Sequence, residues 1–353
     1  MPNALRATLA LAGTLAAAAP AAHAQSLVAA VLDQYPACRS YTPAATGGPT
    51  LPSLLPGLTL GWLGTANYEL VYRNEVVLLD TYYDRGPRNR SIGFTPAQVS
   101  RATALVIGHG HFDHISDAAS VSRQTGAPVI GAALSTGVVL SEGLPANRTL
   151  TVADGSGFRI GSIKVDVALA HHSVLSPDVL TDIKTTYQDA LNTGATPAEA
   201  AAEAAILARG TFDPNVITQG TLAYVFTFDT GFKLLFIDSA GPVTAGEQAL
   251  AAKLGPVDAA IIAYQGDPVA AVQVPVTNAH IQLWRPSIYL PAHHDEITGT
   301  FLNLGLEPLF ETIHAELPNT RTLNPLYRQP ICLDITRHDG GLPPSYPGQQ
   351  ASR

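Results

Sequence analysis

Residues 109–114 read His-Gly-His-Phe-Asp-His, so four side chains able to bind a metal fall within six positions. They follow the apolar run 104–107, Ala-Leu-Val-Ile, which reads as a buried strand. The cluster therefore sits where a strand gives way to a loop, and a loop can fold several ligands around one ion. Imidazole and carboxylate donors suit zinc and its first-row neighbours, and the lack of cysteine here argues against a closed structural zinc site. His109 and His111 can point the same way from extended backbone, because side-chain direction repeats every two residues. Asp113 and His114 follow around the turn and can reach a second ion.

One such cluster cannot saturate two ions, so further ligands are expected at other strand ends. Three places qualify. His171-His172-Ser173 follows the strand expected over 163–170, Asp238 ends the run Leu234-Leu235-Phe236-Ile237, and His293-His294-Asp295 follows 288–292. An unpaired charge at a buried strand end would be costly, so each needs a partner. Neighbouring strand residues point to opposite faces, so one member of each histidine doublet should ligate. Val165, Val167 and Leu169 share parity with His171, which places that residue on the inward face by periodicity alone.

The ordered series resembles the metallo-β-lactamase superfamily, whose motifs are an Asp-ending strand, HxHxDH, a later His, a later Asp and a final His. Here these are Asp80, residues 109–114, His172, Asp238 and His293, and the resemblance covers about 58–298. It implies an α/β fold, a four-layer αβ/βα sandwich with the metals at the edge between the sheets. It implies one ion on His109, His111 and His172, a second on Asp113, His114 and His293, and Asp238 bridging them. Asp80 would support the loop from behind the ligands. The family's His-Ser and Pro-x-His patterns favour His172 over His171 and His293 over His294. The segment 61–66 and Pro291-Ala292-His293 look most like the broad branch holding ascorbate-phosphate lactonases and phospholipase-D-type enzymes.

The elements that must position these residues are legible as apolar runs between turn signals. Strands are expected over 58–63, 69–72, 76–79, 104–107, 128–130, 158–160, 163–170, 221–228, 232–237, 257–263 and 287–290. Helices are expected near 95–98, 116–123, 132–140, 243–253, 277–284 and 304–316. Strands come in adjacent pairs early and later alternate with helices, which predicts two sheets with helices packed outside. A long insert over 174–220 carries a capped, alanine-rich helix beginning Thr196-Pro197-Ala198-Glu199. Placed after a ligand-bearing strand, it is positioned to act as a helical lid or to serve as a decoration.

The ends and the charge bound the rest. Residues 1–24 combine a short basic start, an alanine-rich apolar core and Ala22-His23-Ala24 before Gln25, the pattern of a secretory signal peptide. The mature hydrolase domain is expected over 25–337, soluble and periplasmic or secreted, with a flexible tail over 338–353. In an oxidising compartment the two cysteines, Cys38 and Cys332, are expected to close a disulfide tying the termini together. Lys and Arg number 20 against 28 Asp and Glu, a formal charge of −8 with no basic block, which excludes nucleic acid or anionic membrane as the main partner. No integral membrane segment is expected in the mature form.

The Gly-x-Ser-x-Gly, Walker and dinucleotide fingerprints are absent. The expected protein is an exported binuclear metal-dependent hydrolase of a small-molecule substrate. A metal-bridging hydroxide would attack an ester, lactone or amide, with Asp113 as the catalytic group that orients it. The expected cofactors are two divalent ions, Zn2+ foremost, with Mn2+ or Fe2+ as alternatives. A phosphodiesterase or phospholipase-type hydrolase on the same site is the alternative, and an iron-dependent oxidoreductase a more distant one.

Overall fold

A computed structural model describes residues 31–32, 34–173, 193–265, 270–295, 305–327 and 329–339. The expected signal peptide, the first part of the insert (174–192) and the tail from 340 onward lie outside the described residues. Two seven-stranded sheets form the centre. The first contains β1 (Gly57–Trp62), β2 (Tyr68–Tyr72), β3 (Glu75–Leu79), β4 (Ala104–Val106), β5 (Val129–Gly131), β6 (Thr149–Thr151) and the last strand, β14 (Pro330–Asp334), in the order β14-β1-β2-β3-β4-β5-β6. The second contains β7 (Gly157–Ile160), β8 (Ile163–Ala170), β9 (Thr221–Thr227), β10 (Lys233–Ile237), β11 (Ala259–Ala263), β12 (Ile288–Ala292) and β13 (Arg321–Thr322), in the order β13-β12-β11-β10-β9-β8-β7.

Strand periodicity explains the layering. Val77 and Leu79 face the core between the sheets, while Val76 and Leu78 face helices on the outside. Likewise Leu234 and Phe236 point inward, and Leu235 and Ile237 pack under the helices Ala245–Leu254 and Ala270–Trp284. Both faces of each sheet are covered, so these strands read as continuous apolar runs rather than alternating ones. The result is the αβ/βα sandwich, two sheets within two helical layers.

Several elements differ from the sequence reading. The strands β6, β13 and β14 were not expected. β6 and β13 are short and only partly buried, and β14 opens on a proline. Proline is tolerated as the first residue of an edge strand, where no ladder donor is needed. The helix expected over 277–284 already runs from Ala270, with Pro275 inside it. The disulfide Cys38–Cys332 is present, joining the short helix Pro36–Arg39 to β14 across a sequence separation of 294. His338 and Asp339, the first residues of the expected tail, are held by Asp258 and Arg321. Among the described residues no helix is long and apolar enough to cross a membrane.

Candidate metal centre

Four strand ends converge at one edge of the sandwich. β3 ends before Asp80, β4 before the 109–114 loop, β10 before Asp238 and β12 before His293. Asp80 and His293 both adopt the left-handed region, at φ 56° and 57°. Non-glycine residues are held there at a cost of order 1 kcal/mol and persist where the surroundings over-determine them. Here the surroundings do so: the Asp80 amide donates to Val106 O and the His293 amide to Thr65 O. After β4 the chain makes one short helix, Phe112–Ile115, with His111 at its N-cap, which turns Asp113 and His114 back toward the cluster. Gly108 is required by close approach, since a Cβ there would lie 1.9 Å from Asp238 Cγ.

The side chains gather into three buried groups: His109, His111 and His172; Asp113, His114 and His293; and His109, His114 and Asp238. In the first, His109 Nε2 stands 3.0 Å from His111 Nδ1. In the second, His114 Nε2 stands 3.0 Å from His293 Nε2, which is also 3.0 Å from Asp113 Oδ2. His172, not His171, joins the cluster. The strand β8 stops at Ala170, so its two-residue alternation no longer sets which way the next histidines face. Instead the His172 amide donates to Ile217 O, and His171 O accepts from the Gly241 amide. His294 also stays outside. It stacks on Trp62 with ring centroids 4.7 Å apart.

Partners on the far side of each ring fix which nitrogen carries the proton. His109 Nδ1 faces Asp238 Oδ2 at 2.7 Å, so its lone pair lies on Nε2. His114 Nδ1 faces two carboxylates, Asp80 Oδ2 at 2.7 Å and Asp238 Oδ2 at 3.1 Å. Asp80 Oδ1 is engaged by the Gly108 amide. His172 Nδ1 donates to the Ser173 carbonyl at 2.8 Å, a group that can only accept. In all three the Nε2 lone pair is left for something other than these partners, the arrangement seen behind metal-bound histidines.

Electrostatics favour neutral rings at His109, His111 and His172, whereas at His114 burial is outweighed by the carboxylates Asp113, Asp238 and Asp80, which raise the pKa. Burial, reinforced by His109, pushes His172 down to about 3, and burial also lowers His109 and His111. Neutral imidazole is the form that binds a metal. Burial opposes the charge on Asp113, yet His114 and His293 outweigh it and hold that carboxyl well below the usual range. Asp113 Oδ1, Asp238 Oδ1 and His293 Nδ1 are buried without a hydrogen-bond partner in the protein. Converging lone pairs, neutral imidazoles and orphaned carboxylate oxygens fit divalent cations. Asp238 has a second task that the sequence did not show: Oδ2 lies against the Nδ1 edges of His109 and His114, and Oδ1 is the atom left without a partner.

Other neighbours were not singled out by sequence. The described half of the insert lies on the metal loop: Thr211 N donates to Gly110 O, Phe212 stacks on His111 at 5.9 Å, and a Cβ at Gly210 would meet Phe112 N at 2.3 Å. Its helix Pro197–Leu207 is fastened by Glu203, which accepts from Arg88 Nε at 2.9 Å. On the opposite side Trp62 is sandwiched between His294 and Tyr327, and Asp295 binds Thr65 N, Arg85 and Tyr327. This corner lines a cavity of about 480 Å³. The only sequence signals for these contacts were proximity to motif residues, as for Asp295, and the capping pattern of the insert helix.

The fold and the convergent site define a class, and comparison with known proteins agrees. The family described as "Beta-lactamase superfamily domain" matches residues 75–283, more than half of the chain, and the chain belongs to it. A metal-dependent hydrolase of Herpetosiphon aurantiacus is 30% identical over 116 residues, 33% of this chain and 47% of the relative. One from Rubrobacter xylanophilus is 32% identical over 124 residues, 34% and 48% of the two chains. The chain thus spans about half the length of the relatives it matches. Among solved structures, a metallo hydrolase from the archaeon Ignicoccus hospitalis superposes with a TM-score of 0.54 at 14% identity, covering 78% of this chain and 98% of that one. An isothiocyanate hydrolase from Delia radicum gut bacteria gives a TM-score of 0.50 at 11% identity, covering 77% and 98%. At such identities these two share the fold.

Proposed function

We propose that this chain is an exported, binuclear metal-dependent hydrolase that cleaves an ester, lactone or amide bond in a small molecule. The observation that carries the reading is the pair of convergent triads whose imidazole protons are fixed on the outer nitrogens of His109, His114 and His172. His109, His111 and His172 would hold one ion, and Asp113, His114 and His293 the other. Asp238, whose Oδ1 has no partner in the protein, would complete the donor set while its Oδ2 keeps the imidazoles of His109 and His114 in place. Zinc suits this set of imidazole and carboxylate donors. Bound there, such ions would supply Lewis acidity, which lowers the pKa of water and polarises a bond under attack.

The protein's own residues do the remaining work. Asp113, held ionised, positions the attacking water through its free Oδ1 and receives a proton for delivery to the leaving group. Phe212 covers one face of His111, which is buried, and so would limit water on that side of the ring. The relatives named as metal-dependent hydrolases support the reaction class.

Elemental analysis of purified protein tests the metals. About two zinc or manganese per chain supports the reading, and one iron per chain points to an oxygenase instead. Screening lactones, β-lactams and phosphodiesters with the same sample finds the bond. Turnover of phosphodiesters alone would replace carbon by phosphorus as the centre attacked. Export is tested by mass spectrometry of secreted protein, which should begin at Gln25.

A further inference from the structure

A second network of buried polar groups lies behind the loops that carry His172 and Asp238. Its centre is His280, fully buried on the helix Ala270–Trp284. His280 Nδ1 faces Glu247 Oε1 at 2.8 Å, and His280 Nε2 faces the Gly241 carbonyl at 2.7 Å. A carbonyl only accepts, so Nε2 carries a proton. Glu247 Oε2 accepts from the Thr244 amide at 3.1 Å, and the Glu247 amide donates back to Thr244 Oγ1 at 3.0 Å, a reciprocal helix cap. Glu247 Oε2 is thus an acceptor, and its Oε1 is the oxygen set against His280 Nδ1. Burial alone would lower the His280 pKa, but the Glu247 carboxylate and the Gly241 carbonyl outweigh it and raise it above the ordinary value.

The groups held by this pair belong to the two ligand-bearing loops. The Gly241 amide donates to His171 O, Thr244 Oγ1 donates to Leu169 O at 2.6 Å, and the Ser173 amide donates to Ser239 Oγ at 2.9 Å. The loops touch: a Cβ at Gly241 would lie 2.1 Å from His172 O. Residues 239–244 after Asp238 are thus stitched to 169–173 around His172, and two helices brace the seam from behind.

We propose that His280 is a buried imidazolium which, paired with Glu247, fixes the spacing of the loops bearing His172 and Asp238, and is a positioning residue for the metal centre. The proposal rests on the metal-centre reading above. Glutamine cannot replace the ring, because its donors lie at one end and one of the two acceptors would lose its partner. Groups that hold metal ligands in place typically change metal affinity by about 10–100-fold when replaced.

The test begins with metal-free wild-type protein at pH 7.5, 15N-labelled at histidine. Both ring nitrogens of His280 should resonate as imidazolium, and a neutral ring overturns the proposal. Zn2+ affinity by competition with a chromophoric chelator should then fall roughly tenfold or more in His280→Gln and in Glu247→Gln. Amide exchange at Gly241 and Ser173 should quicken in both, and His280 should become neutral in Glu247→Gln. Folded variants with wild-type Zn2+ affinity and unchanged exchange overturn the proposal. If His280→Gln does not fold, Glu247→Gln, which keeps an acceptor for the helix cap, decides together with the wild-type spectrum. A wild-type chain that took up no Zn2+ would defeat the metal-centre reading, and exchange at Gly241 and Ser173 would still decide the clamp.

Discussion

At the scale of single residues, the two histidine doublets show how narrowly the site is defined. His171 and His172 differ by one position, yet one supplies its carbonyl to the Gly241 amide while the other brings its ring beside His109 and His111. His172→Gln should therefore strip about one ion per chain, whereas His171→Gln should leave metal content near that of wild type. The reverse result would mean that the ligand assignment is out by one residue. On the proposed mechanism Asp113 acts at the reacting centre, so Asp113→Ala should lower kcat by about 10²–10⁴-fold rather than act on KM alone. Measured on any accepted substrate, full turnover by Asp113→Ala would defeat the hydrolase mechanism itself.

At the scale of elements, the first sheet carries a buried carboxylate outside the candidate metal site. Glu69 on β2 accepts from Tyr41 Oη and from the amides of Ala44 and Ala45, and so fastens the segment ahead of β1. The notch that admits Tyr41 exists because Gly61 has no side chain: a Cβ there would lie 2.0 Å from the phenol. Burial raises Glu69 from 4.5 to about 7 despite these donors. The sign follows from linkage. As pH rises from about 4.5 to 7 the unfolded chain releases this proton before the folded chain does, so stability is present at the acid end and declines through the window. The decline should be on the order of 3 kcal/mol for a shift of this size, visible in denaturant midpoints from pH 5 to 8. Glu69→Gln should remove that slope, and an unchanged slope would show that another group sets it. Gly108→Ala is the corresponding test in β4's exit loop. Its Cβ displaces Asp238, and overpacking of this kind costs about 1–3 kcal/mol, so metal content and stability should fall together.

At the scale of the whole molecule, Cys38–Cys332 joins the segment before β1 to the last strand, enclosing nearly the entire described chain. β14 pairs only with β1, through the register Cys332↔Thr59, and lies at the edge of its sheet. On the chain-entropy argument a loop this long contributes on the order of 5 kcal/mol. Reduction, or Cys38→Ser with Cys332→Ser, should lower the urea midpoint by a corresponding amount while leaving metal content intact, since no ligand lies on β14. Unreduced, denatured protein with two alkylatable thiols would overturn the disulfide.

The local chemistry was legible in the sequence because it is local. The 109–114 cluster needs only a strand to stop at Val106, and apolar runs announce such strands directly. Asp238 and the doublets His171-His172 and His293-His294 were found because each follows an apolar strand, while the family resemblance supplied Asp80 and the choice of His172 and His293. What sequence periodicity could not decide was orientation past a strand's last residue, as at His171 and His172, where the hydrogen bonds of Ile217 and Gly241 choose the rotation. Nor could it show β14, whose Pro-flanked five residues become a strand by pairing with β1, nor the contact of Phe212 with His111. The protonation of His109, His114 and His280 was equally hidden, because the carboxylates they face, Asp238, Asp80 and Glu247, lie 33 to 129 residues away. Residue types and their spacing along the chain determined which atoms could hold metals. Only tertiary packing decided which nitrogen of His109 and of His114 faces inward, because that depends on carboxylates that the chain brings beside them only when both sheets have closed.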